Sequence, residues 1–112
     1  MFSMANFTMY KKGEITMKQV IFNQLVNYLI DNLSLARRLA EHPSPENKPD
    51  LLMIYNQSFG AVDILTNVME YSPDFTKQEV EEVYRHWELF YEPLFEKFIA
   101  DCEKPLDKFV DV

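Results

Sequence analysis

The chain holds almost no glycine: Gly13 and Gly60 are the two in 112 residues. Turn-rich β-sandwiches and barrels use more, and a phosphate-cradling loop needs glycines close together. Period-2 apolar runs of strand length are missing too. A single cysteine, Cys102, excludes an internal disulfide and suits a reducing compartment. Two histidines, His42 and His86, leave no Ser/His/Asp order to propose. No apolar run reaches the roughly 18 residues that a membrane span needs. The opening MFSMANFTMYKKGE lacks the basic segment and apolar core of a secretory signal. Together these point to a cytoplasmic chain with no membrane partner. Positive charge is also scarce. Eleven Lys and Arg face eighteen Asp and Glu, giving a net charge of −7 and a pI near 4.7. Such a surface repels phosphate backbones, so no nucleic-acid partner is expected.

What is present is apolar and aromatic. The hydrophobic fraction is 47%, with nine Phe, six Tyr and one Trp, which is too apolar for a disordered chain. A chain this long makes one domain with an independent core.

The stretch from Leu51 to Tyr71 organises the rest. At about 100° per residue, Asn56, Asp63, Asn67 and Glu70 fall on one narrow stripe with Gly60. Apolar side chains spread over most of the remaining circumference, the pattern of a helix buried on several sides. Before it, Met17 to Glu41 reads as a helix with Phe22, Leu25, Leu29, Leu33 and Ala36 on one face. Gln19, Asn23, Asn27, Ser34 and Arg38 make its outer face, and Thr16 with Gln19 fits a capping box. Asn32 projects toward the apolar side, and its expected place is the margin, where it reaches water. Residues 42–50 carry three prolines and read as a loop, with Asp50 as N-cap of the second helix. Thr76 to Glu79 is a second capping box, with Phe75 placed to staple against Val80. The third helix then runs to about Asp101. Val80, Val83, Tyr84, Trp87, Phe90, Tyr91, Leu94, Phe98 and Cys102 form its inner stripe. Pro93 interrupts it and predicts a kink near Leu89–Glu92.

The predicted fold is therefore all-α: an antiparallel bundle of three main helices, the third kinked at Pro93. Three helices do not bury this much apolar surface, so a tail or a second subunit is expected to complete the bundle, and a homodimer is the commonest way. The segment 1–16 reads as a leader or arm, and 17–112 as the helical domain. Lys12-Gly13-Glu14 can be encoded by a purine-rich bacterial ribosome-binding sequence just ahead of Met17, which makes Met17 a candidate start; the gene's codons decide.

No chemistry-bearing motif is complete. Glu82 and His86 are four residues apart on one helix and, with Glu79, are the candidate metal ligands. Glu79-x-x-Glu82 supplies one of the two carboxylate pairs that a helical magnesium site uses, but no second pair follows. The glutamates of the third helix fit a solvated face laced with pairs such as Glu81–Arg85. Cys102 continues the inner stripe and reads as a buried, inert thiol. Tyr84, Trp87, Phe90, Tyr91, Phe95 and Phe98 either pack as core or line a pocket for a small apolar ligand. The expected function is a non-catalytic protein–protein interaction or regulatory module, not an enzyme, with no cofactor. Its contact surface is expected at Gly60, Ala61, Val68, Phe95 and Ile99. A small-ligand-binding bundle and a metal-dependent hydrolase are the alternatives.

Overall fold

The computed structural model describes residues 16–103. Helix α1 spans Met17–Ala40. A 3-10 turn, Pro45–Asn47, leads into α2 at Lys48–Tyr71, and α3 (Lys77–Phe90) and α4 (Glu92–Glu103) follow. Among the described residues there is no strand. Helices α3 and α4 are two halves of one bent rod, so the bundle has the three main helices expected. Of the leader read over residues 1–16 only Thr16, the N-cap of α1, is described; the rest of it and the tail from 106 onward lie outside the described residues.

Side-chain pairs fix the directions. Lys18, in the first turn of α1, reaches Glu79, in the first turn of α3, so these two helices run parallel. Helix α2 runs the other way. Tyr84 bonds Asp63, Tyr55 bonds Glu92, and Lys48 pairs with Glu103, so one number falls as the other rises.

Local chemistry sets the helix ends. Thr16 Oγ1 accepts from the Gln19 backbone N–H at 3.1 Å. The reciprocal half of that capping box is not made: Gln19 is buried instead of facing outward, and its Nε2 donates to Asn23 at 2.8 Å. Helix α2 starts three residues earlier than expected. Pro49 sits in its first turn, where a missing N–H costs nothing. Asp50 is therefore a first-turn acid that complements the helix dipole, not the N-cap. The Asn47 amide donates back to the Leu39 and His42 carbonyls and closes the end of α1. At Thr76 both halves of the capping box are formed.

The bend falls at Tyr91, inside the predicted window. Tyr91 N–H still reaches the Trp87 carbonyl at 3.0 Å. Pro93 has no N–H for the Leu89 carbonyl, and the Leu94 and Phe95 N–H groups both turn to the Tyr91 carbonyl at 3.1 Å. This break lets Trp87, Tyr91 and Phe95 share one side. Trp87 stacks on Tyr91 at 6.2 Å and on Phe95 at 5.9 Å, and Tyr55 tilts against it from α2. The aromatic stripe is core: the rings fill the space between helices with one another. Phe90 lies off it, 38% exposed. Cys102 is fully buried and unpaired.

Two expectations about α2 and its neighbour need correction. The helix is not buried nearly all round. Its inward stripe is Leu51, Ile54, Ser58, Val62, Thr66 and Met69, so two hydroxyls point into the core. Each is satisfied by its own helix: Ser58 donates to the Ile54 carbonyl and Thr66 to the Val62 carbonyl, both at 2.8 Å. Asn32 does not reach water at a margin either. It is buried, and its Nδ2 donates to Ser58 Oγ at 2.9 Å. A continuous chain from Asn32 through Ser58 to the Ile54 carbonyl thus pins α1 against α2 at one register.

Candidate interaction face

The inward turn of Ser58 and Thr66 forces larger apolar side chains outward. On the outer face of α2, Met53 is 52% exposed, Ile64 67%, Val68 60% and Tyr71 90%. Asn56, Gln57 and Asn67 lie among them, also exposed. Asp50 and Glu70 mark the ends, and between them every exposed residue of α2 is uncharged. Asp63 is half-buried and holds the Tyr84 hydroxyl at 3.0 Å. In a chain of net charge −7, a helix face of several turns without charge is a distinct patch. Depletion of charge with apolar and aromatic enrichment is the compositional mark of an interface core. Toward α1 the patch meets Leu35, which lines a shallow groove with Leu39, Met53 and Gln57 together with the charged Arg38 and Asp50.

The residues expected to form a contact surface divide. Val68 is on this face. Gly60 lies within it, and nothing lies within 4 Å of the position its Cβ would take. Ala61 is half-buried beside it. Phe95 is fully buried against Trp87 and is absent from the surface, and Ile99 is partly buried against the core. The bend at Tyr91 turns both inward. Sequence reasoning missed Met53, Ile64 and Tyr71. Their heptad-like spacing with Gln57, Gly60 and Asn67 was visible, but it was overshadowed by the apolar residues around the whole helix.

The candidate metal ligands are occupied by structure. Glu79 accepts from the Thr76 backbone N–H at 2.8 Å and pairs with Lys18 at 3.2 Å. His86 is buried among rings, with Phe22 at 5.7 Å, Phe90 at 5.2 Å and Tyr91 at 5.0 Å, and its Nε2 lies 3.2 Å from the Tyr91 hydroxyl. Glu82 is half-buried one turn away. No group of three or more His, Cys, Asp or Glu that could hold a metal ion occurs among the described residues. Glu81, Glu88 and Glu96 are exposed, interspersed with Lys77, Arg85 and Lys97. No helix of the described residues is long and apolar enough to cross a membrane.

Burial pushes His86 down from 6.5 to about 4. The folded chain therefore holds a neutral imidazole where the unfolded chain binds a proton. This contribution to stability is complete above about pH 6.5 and is lost as pH falls toward 4. Stability should fall by up to about 1.4 kcal/mol per pH unit across that window. Urea denaturation at pH 7, 6 and 5 checks it. A slope between pH 6.5 and 5 that is the same in wild type and His86→Phe would place its origin elsewhere.

Compared with protein-family models, with curated proteins and with solved structures, the chain matches none.

Proposed function

We propose that the protein is a non-catalytic interaction module of the cytoplasm, and that its contact surface is the uncharged outer face of α2 around Ile64 and Val68. One observation carries the reading: a patch of large apolar side chains, free of charge over several turns, on a chain that is otherwise strongly acidic. The lone thiol, buried and unpaired, fits a reducing compartment.

A photo-reactive residue placed at Asn56, on the rim of the face, tests this in the cells that make the protein. A covalent adduct is expected, and it should weaken several-fold when Val68→Glu is added. Val68 is mostly exposed, so that substitution should change stability by no more than about 0.5 kcal/mol. Circular dichroism should show wild-type helicity for the variant. An adduct no stronger than one from the same probe at Glu88, on the acidic face, counts against the proposal.

A further inference from the structure

We infer that the occupant of the α2 face is a second copy of this chain, with the two α2 helices antiparallel and a two-fold axis passing near residue 62. This rests on the interaction reading above and names its partner.

The argument starts from spacing. Met53, Gln57, Gly60, Ile64, Asn67 and Tyr71 follow one another at alternating steps of four and three residues, the seam of a helix pair. Met53, Ile64 and Tyr71 are well exposed, Gln57 and Asn67 are exposed, and Gly60 is half-exposed. Antiparallel alignment about residue 62 puts Ile64 of one copy against Gly60 of the other. It puts Gln57 against Asn67, and Met53 against Tyr71. Each layer is chemically matched to itself by the symmetry. A large side chain meets Gly60, which has no Cβ and open space beside it. Two amides face each other and can exchange hydrogen bonds. A thioether meets an aromatic ring. An isologous interface requires this kind of self-complementarity.

Charge selects the same partner. Two chains of net charge −7 repel across most approaches, and the charge-free face is where they can meet with least repulsion. In this register Glu70 falls opposite Ile54, and the one like-charge pair, Asp50 level with Asp74 in the turn beyond the other helix, is confined to the two ends of the seam. A basic partner would be recognised through carboxylates, and this face offers none between its ends. The alignment also explains Gly60, which costs the isolated helix about 1 kcal/mol relative to Ala. The seam is about 27 Å long on one helix per copy. That is a small interface, so association is reversible and concentration-dependent.

Light scattering on the full chain, from micromolar concentrations to about 1 mM, is the deciding measurement. The mass should rise from 13.3 kDa toward twice that value and return on dilution. Gly60→Leu should stay monomeric at every concentration with a melting temperature at or above wild type, because nothing lies within 4 Å of its Cβ position and leucine is the better helix former. Ile64→Lys, at a mostly exposed position, serves as a second folded monomer. A wild type that remains monomeric overturns the inference, as does a Gly60→Leu chain that dimerises like wild type. A mixture of Gln57→Cys and Asn67→Cys chains should form an inter-chain disulfide several-fold faster than either variant alone, and equal rates overturn the register. The Asn56 adduct separates the two proposals. A product of twice the chain mass supports the second copy. A product of any other mass overturns it while leaving the interaction reading in place, and no product removes both.

Discussion

Val62→Asp should abolish cooperative folding. Val62 has no exposed surface and sits midway along the inward stripe of α2. Its neighbours one turn away on that stripe are Ser58 and Thr66. Their hydroxyl protons are already committed to the Ile54 and Val62 carbonyls. Asn32 is committed to Ser58. A carboxylate introduced between them has no exposed surface and no free donor on its own stripe, and an uncompensated buried charge costs roughly 3–5 kcal/mol. A domain of this size has about 5–15 kcal/mol in total. The lost packing of the valine adds to that cost. Leu65→Asp is expected to cost less. Leu65 is only partly buried, so its carboxylate can turn toward solvent. Thermal melts followed by circular dichroism should show no cooperative transition for Val62→Asp and a lowered one for Leu65→Asp. A Val62→Asp chain that melts like wild type would mean that α2 does not lie at the centre of the bundle.

How far the sequence discloses the structure depends on whether the deciding interaction is local. The capping box at Thr76, the break before Pro93 and the three-helix count are all set by residues within one or two turns of each other, and they were legible. The rotation of α2 about its own axis was legible in part: Asn56, Asn67 and Glu70 of the expected polar stripe are exposed, but the inward place of Ser58 and Thr66 was not. Ranking side chains by polarity alone would put Ser58 and Thr66 outside and Ile64 inside, yet the reverse is found. Small hydroxyls that bond their own helix carry no unsatisfied group into the core, and their size lets α1 approach. Asn32 follows from the same cause, since its partner Ser58 lies on another helix. Gln19 is buried by tertiary packing that no local pattern encodes. The contact face was half legible. Val68 and Gly60 could be singled out, but Phe95 was placed on the surface because the inward turn of α4 depends on how the break at Tyr91 aims it.

The second large effect lies at that break. Trp87→Ala should destabilise the fold by about 3–5 kcal/mol. The indole is 1% exposed, stacks on Tyr91 and Phe95, and meets Tyr55 at 5.8 Å and Phe59 at 5.9 Å across the interface with α2. Removing it empties the junction of three helices at the point where the backbone is already interrupted, so collapse into the space is restricted. Trp87→Phe should behave differently. The indole N–H is buried and finds no hydrogen-bond partner among the described residues. An unsatisfied buried donor costs roughly 1–3 kcal/mol. Phenylalanine deletes that donor, keeps a ring against Tyr55 and Phe95, and sacrifices only part of the packed volume. The two terms oppose each other, and the net loss should be about 1 kcal/mol or less. Urea midpoints for the three chains measure the contrast directly. If Trp87→Phe costs as much as Trp87→Ala, the N–H has a partner such as a buried water, and the tryptophan is held by that bond and not by its rings.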